Sequence, residues 1–406
     1  MFELTGRRQQ KLQTEIARLA QPARRWVSFD FFSDAEIASL AELAEAQTFR
    51  QAQSEITHRK NRVFQDFDVC FPAPRIDAFD QLDNAPNKNG VYSIEFYLDS
   101  ILIYKHDMES FSFSETRYIN SLMDYHAKKN YGLKPQKSFK DPNNNLSLYK
   151  TIVDDGRIMF ESMAPHYAEY VIKDIEGNTS RLNFNFLSDS SLSVPLKPIE
   201  GQPFMYDIKN QFRSENITVT IEPYSLYDNI NFSYQTLQSH DELISDIHCI
   251  HQDDTPIHLP ISIAIVNNSI QDLFRNKALI CTLENDEVVS CLPSTWSEDT
   301  LRAKSKTFGH YGVVIDSVPP SINTHMFSFD LSSEPSMSFI IDDDLSGISS
   351  YNAFVDGDWI LLEYDAKTKQ LIHYFDGKIK SGQHELEIIV NDLVKNEKRL
   401  KLRFVR

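Results

Sequence analysis

The amino-acid sequence predicts a mainly β protein: tandem antiparallel Ig-like β-sandwich domains preceded by a small helical N-terminal segment. Three observations predict it. Beyond Asn89 apolar residues recur at every second position, the period of a half-buried strand. A strand–turn–strand signature near residue 170 returns near residue 388. The composition also changes near Asp83-Asn84-Ala85-Pro86-Asn87, with about a dozen alanines before that point and about eight after it. At 406 residues the chain exceeds one hydrophobic core. We expect a helical segment over 1–84 and sandwiches over 86–190, 195–316 and 318–406.

In the first segment Leu12, Ile16 and Leu19 fall at helical spacing, and Pro22 ends the run. Ser33 with Glu36 makes a capping box, followed by Ile37, Leu40 and Leu43 on one face. The stretches Trp26-Val27-Ser28-Phe29-Asp30-Phe31-Phe32 and Gln65-Asp66-Phe67-Asp68-Val69-Cys70-Phe71-Pro72 resemble the start of 2-oxoglutarate/iron oxygenases. The resemblance ends before the region where those enzymes place their metal ligands. A fusion of unrelated segments reads equally well.

Next, Tyr92, Ile94, Phe96 and Leu98 alternate with polar residues. Asp99-Ser100 makes a turn, and Leu102, Tyr104 and His106 alternate on a second strand, which together spell a hairpin. These aromatics suit a carbohydrate platform or, more simply, a sheet core. A helix is expected from Ser114 to His126 with Ser114 as N-cap.

Tyr170–Phe186 then aligns without gaps with Ile388–Phe404, and His166 and Glu169 with His384 and Glu387. Each copy reads strand, Asp-x-x-x-Asn turn, strand, because the short Asp and Asn side chains bond nearby backbone. In the last domain Val318-Pro319-Pro320 reads as a linker, Met337, Phe339 and Ile341 alternate, and Asp356-Gly357 joins two strands.

The formal charge of −17 excludes a nucleic-acid or anionic-lipid partner. No apolar run is long enough to span a bilayer. Arg7-Arg8 is not followed by the apolar core of a secretory signal, so a cytoplasmic location is expected from the residues as written. Phosphate-cradling glycine loops, Gly-x-Ser-x-Gly and His-Glu-x-x-His are missing.

Three sets of residues could carry chemistry. His248, Cys249, His251 and Asp253, with His258 nearby, combine imidazole, thiolate and carboxylate as a zinc site would. His251 and Asp253 with His310 supply the ligand types of a non-haem iron triad. A polar loop between strands has the same composition, and residues three apart in a strand face opposite ways. Asp342, Asp343, Asp344 and Asp392 could gather calcium at a domain edge, or simply form a solvated acidic turn. Cys281 and Cys291 flank a hairpin: a three-residue loop would set them opposite each other, and a two-residue loop would shift the pairing by one. They would be either two buried small residues or a cross-strand disulfide, which needs an oxidising compartment.

Asn87-Lys88-Asn89-Gly90-Val91-Tyr92-Ser93-Ile94-Glu95 and Phe111-Ser112-Phe113-Ser114-Glu115-Thr116-Arg117-Tyr118-Ile119-Asn120 are two further distinctive stretches. A third runs from Asp343-Asp344-Leu345-Ser346-Gly347-Ile348 through Trp359-Ile360-Leu361-Leu362-Glu363-Tyr364-Asp365. Together they resemble the non-catalytic region that follows the catalytic domain in bacterial envelope zinc metallopeptidases of the lysostaphin/LytM type. The resemblance covers about residues 86–406. It implies residence in the periplasm or at the cell surface, cell-wall or envelope partners, and cleavage of peptidoglycan cross-links by zinc-activated water. The family's zinc ligands come from His-x-x-x-Asp and a later His-x-His, and this chain has neither. No catalytic residue carries over, and no cofactor is expected. The expected function is a non-catalytic accessory or binding protein. The alternative is a metal-dependent hydrolase or iron oxygenase built on His248, His251 and Asp253.

Overall fold

The computed structural model describes residues 62–64, 74–81, 88–158, 165–187, 201–239, 242–267 and 270–406. Most of the expected N-terminal helical segment therefore lies outside the described residues. The chain is mainly β, in antiparallel sheets. Among the described residues no helix is long and apolar enough to cross a membrane. The chain divides into two compact units. The first is Met1–Asp207 with Leu226–Asn231 and Asp254–His258; the second is Ile208–Ser225, Phe232–Asp253 and Leu259–Arg406.

The first unit holds a five-stranded sheet in the order Tyr149–Ile152, Ile101–Asp107, Ser93–Leu98, Pro165–Lys173, Thr179–Leu187. Period-two alternation places Ile94, Phe96, Tyr104, Ala168, Tyr170 and Ile172 in one core. The aromatics at 96 and 104 are thus sheet core and not an exposed sugar platform: Phe96 is 2% and Tyr104 0% exposed. The strand Arg75–Asp77 lies on the N-terminal side of the expected boundary at 84, yet Ile76 and Ala78 belong to this same core.

The helix expected over 114–126 is broken into pieces. A 3-10 turn, Phe113–Tyr118, has its N-cap two residues earlier than expected, at Ser112, whose hydroxyl lies 3.0 Å from Glu115 Oε1. Helices Ile119–Leu122 and Tyr125–Tyr131 follow. The break falls at Asp124, which takes an extended backbone to cap the second helix and accepts the Ala127 amide at 2.9 Å.

The second unit contains two sandwiches. In the first, Asn210–Arg213, Ile217–Ile221, Ile261–Val266, Thr300–Ser305 and Ser294–Ser297 form one sheet. Tyr234–Leu237, Ile247–Ile250, Gly309–Ile315, Ala278–Glu284 and Glu287–Leu292 form the other. In the C-terminal sandwich one sheet runs Ser321–Met326, Ser336–Asp342, Gln370–Tyr374, Glu363–Asp365. The other runs Asp358–Ile360, Ile348–Val355, Gln383–Asp392, Glu397–Val405. Met337, Phe339, Ile341, Leu386, Ile388, Val390 and Phe404 fill the space between its sheets.

The sequence repeat is a structural repeat. Each aligned hairpin, Pro165–Leu187 and Gln383–Val405, ends a sheet and pairs with a preceding hairpin in the same register: Leu98 faces Ala168, and Val355 faces Leu386. The preceding turns match as well. Asp99-Ser100 and Asp356-Gly357 both have positive φ at each residue (48° and 69°, 51° and 92°). In both copies the turn aspartate reaches the returning hairpin. Asp99 lies 2.7 Å from His166 Nδ1 and accepts the Tyr167 amide at 2.9 Å. Asp356 lies 2.6 Å from His384 Nδ1 and accepts the Glu385 amide at 2.8 Å. The ion pairs Arg181–Glu169 and Arg399–Glu387 also correspond. So do the Asx turns, in which Asn178 bonds both oxygens of Asp174 and Asn396 both oxygens of Asp392.

These matched turns yield two expectations. Ser100 holds a left-handed conformation that Gly357 adopts freely, so Ser100→Gly should stabilise the chain by about 0.5–1 kcal/mol in urea denaturation. The second expectation concerns pH. The Asp356 hydrogen bond raises the His384 pKa above its usual 6.5, and the Glu385 amide and His384 hold Asp356 below its usual 3.8. A raised histidine pKa contributes stability that is full below pH 6.5 and is lost as pH rises through the folded value. The depressed carboxylate contributes stability present above 3.8 and lost as pH falls through its folded value. The stability lost in His384→Gln relative to the parent chain should therefore be largest near pH 6 and smaller by about 0.5 kcal/mol near pH 8, the scale of an exposed pair, read from urea midpoints of the two chains at each pH.

Candidate functional site

The structure does not bring the histidine set together. His248 lies within the strand Ile247–Ile250, 1% exposed, with Nδ1 2.8 Å from Tyr234 Oη. Burial pushes its pKa down to about 4, so it is neutral at physiological pH. His251 follows the strand end at a positive φ of 53°, stacks on Phe232 and has Nδ1 3.4 Å from Ser233 Oγ. His310 pairs across the sheet with Cys249, so its side chain lies on the face opposite His248. Among the described residues, His248, His251 and Asp253 do not place three ligand atoms within 4.8 Å of one another, and neither do His251, Asp253 and His310. Period two explains this: neighbours along a strand alternate faces, and the polar spacing that suggests a ligand cluster is spread over both.

Cys281 and Cys291 are joined as a disulfide across the hairpin Ala278–Glu284, Glu287–Leu292. The loop has two residues, Asn285 and Asp286, both at positive φ. A register shift between Thr282 and Leu283 moves the ladder by one and sets Cys281 opposite Cys291. Cys249 is buried and free.

Among the described residues, one group of three carboxylates comes together, and it includes a residue that the sequence pattern does not select. Asp316, Asp343 and Asp392 each offer an oxygen, and these lie within 4.8 Å of one another. Asp316 follows the strand Gly309–Ile315, Asp343 sits in the turn after Ser336–Asp342, and Asp392 ends Gln383–Asp392. The other two members of the acidic run stay apart. Asp342 pairs with Lys369 at 2.6 Å, and Asp344 is exposed.

Asp392 is fully buried and Asp316 2% exposed. Asp343 Oδ2 accepts the Gly347 amide at 2.7 Å, and Asp392 accepts the Asn396 amide and side chain. Asn396 Nδ2 also donates to the Asp316 carbonyl at 3.0 Å, which ties the hairpin tip to the end of the preceding sandwich. Desolvation raises the Asp392 pKa, and the neighbouring charges of Asp316 and Asp343 raise it further.

Apolar packing and a lysine close the same junction. Val394, at the hairpin tip, and Leu345 pack with Leu243, Ile247, Leu279 and Val314 of the preceding sandwich, while Lys277 Nζ donates to the Val394 carbonyl at 2.9 Å. Burying a valine side chain contributes about 1.5–3 kcal/mol. Asp316 precedes what reads in sequence as a plain linker, and no local pattern marks it. The available signal was the repeat, in which Val394 stands where the first copy has Glu176.

Residues 201–316 match the family described as a Zu5-like domain. No curated protein matches the chain. Among solved structures, the central fibronectin-III array of RIM-binding protein is similar at 9% identity with a TM-score of 0.16, covering 88% of this chain and 96% of that one. SGBP-B of the Bacteroides ovatus mixed-linkage glucan utilization locus, in complex with a mixed-linkage heptasaccharide, is similar at 6% identity with a TM-score of 0.14. That match covers 86% of this chain and 70% of that one. At these values neither structure bears on function.

The disulfide closes a short loop, with a sequence separation of 10. Replacing both cysteines by serine should lower stability by about 2–3 kcal/mol on the chain-entropy scale, read as a lower urea midpoint.

Proposed function

We propose that this chain is a non-catalytic array of β-sandwich modules that binds or positions components of the bacterial cell envelope. What supports this most is how the ionisable groups are used. His106 and His248 are buried, with pKa values held at about 4, and Asp316 and Asp392 are buried at a junction between modules. Side chains buried this completely pack within a module or between two and have no surface to offer a substrate. The disulfide supports an oxidising compartment over the cytoplasm. The match over 201–316 supports reading the chain as separable modules. The stretches that resemble the accessory region of lysostaphin/LytM-type peptidases supply the envelope context of this reading, with peptidoglycan as the polymer proposed.

Sedimentation with purified peptidoglycan sacculi tests the reading. The chain should enter the pellet saturably while the turbidity of the suspension stays constant, with or without added zinc. A chain that stays in the supernatant, or a zinc-dependent fall in turbidity, overturns it.

A further inference from the structure

We propose that Asp316, Asp343 and Asp392 hold a calcium ion that pins the C-terminal sandwich to the sandwich before it. The three side chains come from three separate segments, and their oxygens lie within 4.8 Å of one another. Calcium binds oxygen at about 2.3–2.6 Å, so two oxygens on one ion lie at most about 5 Å apart. The group fits around one ion.

A second observation points to a ligand there. Asp316 is 2% exposed, and its Oδ2 has no hydrogen-bond partner. Its other oxygen receives the Val318 amide at 3.2 Å and the Asn396 side chain at 3.4 Å. A buried carboxylate oxygen without a partner is strongly disfavoured unless a cation answers it. Asp342, one residue from the cluster, has its cation in Lys369. Among the described residues no ion pair joins a lysine, arginine or histidine to Asp316, Asp343 or Asp392, and Lys277, the base of this junction, donates instead to the Val394 carbonyl.

The ligand set also selects the ion. Three carboxylates with no imidazole or thiolate suit a hard cation and disfavour zinc. The donors are fixed to turns by their own hydrogen bonds: Asp343 to the Gly347 amide, Asp392 to Asn396. Calcium accepts such irregular geometry, whereas magnesium demands a near-ideal octahedron at shorter distances. Asp343 is only half-buried, which leaves a side from which water can complete the shell. Without an ion, three clustered anions repel one another across the junction. With one, Asp316 at the end of the preceding sandwich is joined to Asp343 and Asp392 of the C-terminal sandwich.

The test uses the full chain, stripped with EGTA and titrated with calcium chloride by calorimetry, followed by thermal unfolding. One ion per chain should bind with a Kd between about 10 μM and 1 mM, and the unfolding temperature should rise with calcium. Asp316→Asn should weaken binding by about tenfold or more, while Asp342→Asn should stay within about twofold of the parent. Absence of saturable binding by the folded parent chain overturns the proposal. So does Asp316→Asn binding as tightly as the parent, or equal stabilisation by magnesium. If Asp316→Asn does not fold, the parent titration and Asp342→Asn decide. Sacculi play no part in this measurement, so it and the envelope reading can fail separately.

Discussion

A turn aspartate that clasps the returning hairpin sets the register on which both copies of the repeat depend. Asp99 and Asp356 each sit at the first left-handed position of a two-residue turn. From there one oxygen meets a backbone amide and the other an imidazole of the next hairpin. A one-residue slip would move every apolar side chain of these strands to the wrong face. The clasp is small in energy, yet it tells two alternating ladders which of two registers to take. The apolar core then supplies the stability.

The two copies diverge at the far end of that hairpin. Both tips carry the same Asx turn, with asparagine holding both oxygens of aspartate. In the first copy Ile175 is 72% exposed beside Glu176. In the second the corresponding Leu393 and Val394 are followed by Asn396, and Val394 is buried against the preceding sandwich. One change in side-chain character, charged to branched apolar, separates a solvent-facing tip from one that docks. The asparagine that closes its own turn in copy one also grips the carbonyls of Asp316 and Val318 in copy two.

Much of this was legible in sequence because it is periodic or local. Alternation gave the strands from Tyr92 onward and the inward set Met337, Phe339, Ile341, and the gapless repeat gave the paired hairpins. The cysteine register was legible only as two alternatives, since a bulge between Thr282 and Leu283 compensates for the short loop, and bulges leave little trace in a hydropathy pattern. The single helix expected over 114–126 is interrupted because Asp124 competes for the backbone as a cap. The carboxylate group was half-legible. Asp343 and Asp392 stand out in acidic turns, but Asp316 is selected only by packing between sandwiches, which no local rule encodes.

The junction also explains why carboxylates occupy a place where apolar residues would serve packing better. Replacing a buried charged cluster by well-packed apolar side chains is often neutral or stabilising, so such a cluster is poor evidence for stability as such. Here it coexists with an apolar plug: Val394 and Leu345 already close the contact. The carboxylates add something the plug cannot, a contact whose strength depends on what fills it. The interface can then be firm in one ionic setting and loose in another, with Val318-Pro319-Pro320 as the covalent tether in both. The second unit thus carries its adjustable element at the joint between its two sandwiches.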